Sequence, residues 1–176
     1  AMSIIQNILQ VNTNGRGTFQ ITNDVQKFVS DSGVQQGLCH LFIQHTSASL
    51  MLCENADPDV RIDLETFMQN IAPDGAPMFC HDAEGPDDMP AHIKATFTGH
   101  SVQFPVINGR PALGTWQGIY LWEHRTGQFR RKLTVTVHGL HVELPGVIRV
   151  RGQDRKVAPV GTRNGLGSPP AGGYLA

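Results

Sequence analysis

The stretch Gly37-Leu38-Cys39-His40-Leu41-Phe42-Ile43-Gln44-His45 decides the fold. Cys39, Leu41 and Ile43 occupy alternate positions, and the same alternation carries His45 to their face, the pattern of a buried β-strand. Upstream, residues 3–11 read as a strand, the polar run 12–17 as a turn and 17–21 as a second strand, together a hairpin. Thr22-Asn23-Asp24 offers capping side chains before Val25, Phe28 and Val29, whose spacing is helical, and Gly33 is a natural stop. Downstream, Thr46-Ser47-Ala48-Ser49 leads into the apolar run Leu50-Met51-Leu52. Asp57 can cap a helix that has Pro58 at its first position and Val60, Leu64, Phe67 and Ile71 as its apolar stripe; Pro73-Asp74-Gly75 ends it. A short helix is expected over 91–98, with Asp87 or Asp88 near its start and Gly99 at its end. Residues 101–107, 118–124 and 129–138 read as three more strands, with turn chemistry at Asn108-Gly109 and Thr126-Gly127. Strands at both ends, helices between them and short connections predict an α+β fold with mainly antiparallel sheets.

The chain has 176 residues, enough for one well-buried core. Its 40% hydrophobic and 16% charged content suits a globular domain and excludes a disordered or coiled-coil chain. A net charge of -1 without a basic block removes the footprint of a general nucleic-acid binder. No apolar run approaches the roughly 20 residues of a membrane span, and the first residues lack a signal-peptide pattern. The 3 cysteines, Cys39, Cys53 and Cys80, have no motif spacing, which argues against a disulfide framework and for a reducing cytoplasm. Residues 1–143 therefore form the expected domain. Residues 144–176, rich in Gly and Pro and carrying Arg149, Arg151, Arg155, Lys156 and Arg163, read as a mobile or partner-draped tail.

His45, His81 and His92 are the candidate metal ligands, because neutral imidazole suits zinc and related divalent metals. A helix N-terminus disfavours protonated histidine, which keeps His92 available to a metal. Asp82, Glu84, Asp87 and Asp88 can orient the imidazoles or bind a cation. The spacing contains neither a zinc-finger pair nor an HExxH helix, so separate loop, core and capping roles are the competing reading. Thr46, Ser47 and Ser49 can hold a phosphate through hydroxyls and nearby amides, or form an ordinary turn. Glu123 shares a strand face with Ile119 and Leu121. Buried there, it needs Arg125, Arg130 or Arg131 as a partner; at an edge it faces water. Trp116, between Gly114-Thr115 and Gln117-Gly118, walls a pocket or a subunit contact, or fills the core.

Three segments in order resemble one family. Gln44-His45-Thr46-Ser47-Ala48-Ser49-Leu50 with Glu54-Asn55 and Asp57-Pro58 is similar to its first signature. His81-Asp82 with Glu84-Gly85, then Asp87-Asp88-Met89-Pro90-Ala91-His92-Ile93-Lys94, is similar to its second. Gly114-Thr115-Trp116-Gln117-Gly118-Ile119-Tyr120-Leu121 with Glu123 is similar to its third. The family is the YjbQ-like, or secondary thiamine-phosphate synthase, family, and the likeness stops near Leu140. It implies a β-sandwich-like core with two or three inserted helices, a homotrimer, and a site near the subunit boundary where His45, His81 and His92 meet. It also implies a weak thiamine-phosphate synthase, a transferase joining a hydroxymethylpyrimidine diphosphate to a thiazole phosphate with release of pyrophosphate. Together these readings lead to a metal-dependent enzyme on a small phosphorylated metabolite. His45, His81 and His92 are its metal ligands and Asp82, Asp88 and Glu123 its catalytic candidates. Thr46, Ser47, Ser49, Trp116 and Gln117 are its substrate contacts. The rival is a non-catalytic trimeric protein that binds a small ligand or a metal.

Overall fold

In the computed structural model, which describes residues 1–142, the alternating stretch is an internal strand. The elements run β1 (Met2–Asn14), β2 (Gly17–Gln20), α1 (Thr22–Asp31), β3 (Gln36–Ile43), β4 (Ala48–Glu54), α2 (Pro58–Ile71), α3 (Asp88–Thr98), β5 (Ser101–Ile107), β6 (Arg110–Pro111), β7 (Gln117–Glu123) and β8 (Gln128–Leu140). One sheet has the order β1-β8-β3-β5-β6 and the other β2-β7-β4. Every pairing is antiparallel. The α+β class and the inserted helices are those the sequence predicts. No helix among the described residues is long and apolar enough to cross a membrane.

The alternation in β3 works as expected. Cys39, Leu41 and Ile43 join Leu133, Val135 and Val137 of β8 in the interior. Leu50 of β4 and Ile119 and Leu121 of β7 meet them from the other sheet, and Val25 and Val29 of α1 complete the cluster. Each such side chain contributes about 1.5–3 kcal/mol by leaving water. Where Gly37 faces Gly139 the β3 and β8 backbones leave no room for a side chain: a Cβ on Gly37 would lie 1.9 Å from the carbonyl oxygen of His138.

The expected hairpin of 3–11 with 17–21 does not form. β1 pairs with β8 and β2 with β7, so the two strands lie in different sheets. Gly15 and Gly17, at φ 130 and 140, let the chain turn from one sheet into the other. The same crossing recurs between β3 and β4 and between β7 and β8, so Thr126-Gly127 also joins two sheets. Alternation dictates which side chains face inward, not which strand is the partner. Asn108-Gly109 does close a hairpin: Ile107 pairs with Arg110 around two residues of positive φ, the geometry that two-residue loops favour.

In α2 the cap is as read: the Asp57 side chain accepts from the Asp59 amide, with Pro58 in the first turn. The stripe is not. Phe67 is 61% and Ile71 42% exposed, whereas Met68 is buried. Charged residues take the inward positions because they find partners there. Glu65 accepts from Trp122 Nε1 at 2.7 Å, and the Arg61 guanidinium lies over the Tyr120 ring. The tail expected over 144–176, and its boundary, lie outside the described residues.

Candidate metal centre

Helix α3 begins at Asp88 rather than at residue 91, and Pro90 sits in its first turn, where a missing amide costs nothing. That earlier start puts Asp88 and His92 one turn apart on the same face. The connection from α2 brings His81 against them. His81 Nε2 is 2.7 Å and His92 Nε2 3.4 Å from Asp88 Oδ2. One ligand atom from each of the three residues lies within 4.8 Å of the others.

The group is oriented by its neighbours. His92 Nδ1 is 2.9 Å from the Thr46 carbonyl oxygen, which only accepts, so Nδ1 carries the proton. That leaves Nε2 as the ring atom that faces Asp88, the one positioned to ligate a metal. Asp88 is 1% exposed. Burial alone would raise its pKa; the hydrogen bond to His81 and the positive charge of Arg125 hold it below the usual carboxylate value. Arg125 is the organising cation. Its Nε donates to Asp87 Oδ2 at 3.0 Å, its Nη1 to Asp88 Oδ1 and its Nη2 to the Glu84 carbonyl at 2.8 Å. The Thr126 amide adds a bond to Asp87 at 2.8 Å. The end of β7 thereby clamps the acidic loop and the start of α3. A cleft of about 340 Å³ adjoins the group, lined by Phe79, His81, Asp82, Pro86, Met89 and Pro90.

His45 is not brought to this group. β3 ends at Ile43, and His45 Nε2 accepts from the Lys132 amide at 2.8 Å. Of the expected anion cradle, Thr46 supplies its carbonyl to His92, while the Ser47 and Ser49 hydroxyls turn inward. Ser47 Oγ accepts from Arg131 Nη2 at 3.0 Å, and Ser49 Oγ is 2.8 Å from His124 Nε2. Glu123 is wholly buried, and its partner is Arg131. Arg131 Nε donates to Glu123 Oε2 at 2.7 Å and the Thr13 hydroxyl donates to the same oxygen at 2.8 Å. Arg131 Nη2 and the Arg125 amide serve Oε1. Trp116 is 63% exposed, so it does not fill the core, and the Gln117 side chain accepts from the Gly114 amide. Gln117 pairs with Glu54 at one end of the ladder whose other end pairs Ala48 with Glu123, roughly 20 Å along the strand. Both residues therefore stand at the far end of the sheet from the Asp88 group. Asp82 is exposed at the cleft, and its carbonyl accepts from the Gly85 amide.

Residue reading from the sequence missed Arg125 as the clamp and His124 as an interior base. His124 is wholly buried. Burial first, then the positive charges of Lys94, Arg16 and Arg131, push its pKa from 6.5 down to about 3. The folded protein therefore keeps this ring neutral across a range in which the unfolded chain takes up a proton. Stability is expected to fall as pH drops from 6.5 toward about 3, by at most about 1.4 kcal/mol per pH unit from this group. Urea unfolding at several pH values checks this, and His124→Phe should flatten the slope in that window.

The two-sheet α+β core and the two-histidine, one-carboxylate cluster define a small protein with a candidate metal centre on one helix terminus. Residues 7–140 match the family model described as UPF0047 protein YjbQ-like. The chain is 46% identical over 134 residues to a UPF0047 protein of Synechocystis sp., covering 76% of this chain and 91% of that protein. It is 44% identical over 135 residues to the UPF0047 protein YjbQ of Escherichia coli O157:H7, covering 76% and 97%. The crystal structure of a YbjQ-like protein of unknown function from Sulfolobus solfataricus P2 aligns with a TM-score of 0.73 at 28% identity, over 80% of this chain and 100% of that one. This chain belongs to the UPF0047 YjbQ-like family.

Proposed function

We propose that this protein is a divalent-metal-dependent enzyme acting on a small phosphorylated metabolite that binds through the metal. The observation that carries this reading is the convergence of His81, Asp88 and His92 ligand atoms within 4.8 Å. Two imidazoles and a carboxylate with room for further ligands match the donor set of catalytic zinc sites, and also that of non-haem iron. The donors fit because His92 is already in the tautomer that presents Nε2, and because Arg125 holds the carboxylate without covering both of its oxygens. A bound divalent ion would supply Lewis-acid stabilisation of charge developing on a phosphate oxygen. Asp82, which lines the cleft together with His81, is the candidate for moving a proton. The transferase activity implied by the family resemblance, thiamine-phosphate formation with loss of pyrophosphate, is part of this proposal as a secondary activity.

The test is direct. The purified protein is titrated with zinc and manganese, and pyrophosphate release from the two thiamine precursors is followed with and without chelator. Stoichiometric binding and chelator-sensitive turnover are expected; no metal uptake would sink the reading. Arg125→Lys keeps the charge but loses the fork that grips both aspartates. It should weaken metal binding by about 10–100-fold, as loss of an outer-shell partner does.

One observation favours the non-catalytic alternative. Ser47, Ser49 and Glu123, three of the expected chemical groups, are consumed by interior hydrogen bonds. Metal binding with no turnover would leave the small-ligand-binding reading ahead. A homotrimer is proposed for either function. Its support is the outer face of the five-stranded sheet, where Ile4, Ile8 and Phe42 are 72%, 51% and 46% exposed. Ile8 and Phe42 flank Thr134 in one cross-strand row. Light scattering should give three chain masses, and Ile8→Lys should lower that value.

A further inference from the structure

Arg125, which holds Asp87 and Asp88, itself lies against an aromatic ring. Its guanidinium carbon is 5.5 Å from the centre of the Phe129 ring, and that of Arg131 is 4.4 Å from the same centre. Both lie within the roughly 6 Å over which an aromatic ring attracts a cation. Each cation has carboxylates of its own, Glu123 for Arg131 and Asp87 and Asp88 for Arg125, so one ring serves both. The chain leaves space for the ring where it turns from β7 to β8. A Cβ on Gly127 would lie 3.2 Å from Phe129 Cε2 and 3.5 Å from its Cζ. The same turn carries Thr126, whose amide and hydroxyl both donate to Asp87. Phe129 is half-buried and pairs with Thr13 of β1. The ring is therefore fixed to the five-stranded sheet, while the guanidinium it touches reaches the start of α3.

We propose that Phe129 is a positioning residue for the metal centre, holding the Arg125 guanidinium in the orientation that leaves Asp88 Oδ2 to the two imidazoles and the ion. This role rests on the metal-dependent reading above. Arginine and carboxylate commonly pair through two parallel N–H···O bonds. Here the fork is split instead. Nε donates to Asp87 Oδ2 and Nη1 to Asp88 Oδ1, while Asp88 Oδ2 lies 2.7 Å from His81 Nε2 and 3.4 Å from His92 Nε2. A guanidinium that turns to take both Asp88 oxygens occupies the ligand atom the ion needs. The hydrogen bonds of the guanidinium run to Glu84, Asp87 and Asp88, all on one segment of chain. Phe129 supplies a contact from a second direction, on β8, and that contact resists the turn. An aromatic ring does this where an aliphatic side chain of similar size does not, because its π-system attracts the cation.

Zinc affinity of the full chain, read by competition with a chromophoric chelator, tests the proposal. Phe129→Leu is expected to bind zinc about three- to tenfold more weakly than the parent, the range a ring–cation contact spans. Phe129→Tyr keeps the ring and should stay within about twofold of the parent. Arg125→Lys has no fork to restrain, so adding Phe129→Leu to it should cost no more than about twofold further. Phe129→Met is a second aliphatic replacement, used if the leucine variant does not fold. Parent-like affinity of the aliphatic variant overturns the proposal. So does an equal loss with and without Arg125→Lys, because a ring that only fills space acts through the fold in both. In either case the parent still binds zinc and the metal centre stands; a parent that binds no zinc removes the metal centre and this role together. The metal-free chain gives a second readout by NMR. The Arg125 Nε hydrogen should exchange with solvent about threefold or more faster in the aliphatic variant than in the parent, and an unchanged rate overturns the proposal.

Discussion

Asp88→Asn should abolish tight divalent-metal binding while the chain stays folded. Asparagine keeps the size of the side chain and an oxygen for Arg125, but removes the charge that lies 2.7 Å from His81 and 3.4 Å from His92. Losing a supporting outer group from a metal site costs about 10–100-fold in affinity, and losing the anionic ligand itself should cost more than that. Zinc competition against a chromophoric chelator measures the change. Asp82→Asn provides the contrast, because Asp82 is outside the three-residue group and should alter turnover rather than affinity. Equal zinc affinity in Asp88→Asn and the parent protein would remove the metal centre from consideration.

The second large effect is on stability. Arg131→Met leaves the Glu123 carboxylate buried with only the Thr13 hydroxyl and the Arg125 amide as donors. Breaking a buried ion pair from one side typically costs about 3–5 kcal/mol, because the remaining charge has lost its compensation. Arg131→Met should therefore show a loss of that size in urea unfolding. Adding Glu123→Gln should restore a substantial part, since the stranded charge is then gone. The same pair of variants decides the role of Glu123. An acid/base residue would lose turnover in Glu123→Gln at modest cost in stability; an interior anchor would lose stability together with whatever activity the fold supports.

The parts of the fold governed by local physics were legible. Cys39, Leu41 and Ile43 alternate, and they are buried; Asp57-Pro58 reads as a helix start, and it is one. What the sequence did not display was partnership. Residues 3–11 and 17–21 have the length and polarity of a hairpin, yet the partners of β1 lie more than a hundred residues downstream. The stripe Val60, Leu64, Phe67 and Ile71 is a sound helical pattern of which Val60 and Leu64 are half-buried, while Phe67 and Ile71 face outward and Arg61 and Glu65 make inward contacts. The site divides in the same way. His81 and His92 flank an acidic loop and stand out as candidate ligands, while Asp88 reads equally well as a residue near a helix start. His45 shared their chemistry, but the strand stopped short of it and a backbone amide took its Nε2. Arg125 could not be read as the clamp because Asp87 and Asp88, which it holds, are 38 and 37 residues upstream.

The long ladder between β1 and β8 also has a bearing on how the protein is made. Thirteen register pairs join Met2–Asn14 to Gln128–Leu140. At about 5–20 residues per second, a ribosome needs roughly ten seconds to pass from one strand to the other. Throughout that interval the nascent N-terminal strand, with Ile4, Ile5, Ile8, Leu9 and Val11, waits without the strand it is built to meet. Its protection during synthesis must come from outside the finished ladder, so expression yield should respond more strongly to holdase supply or a slower, cooler translation than native-state stability alone would indicate.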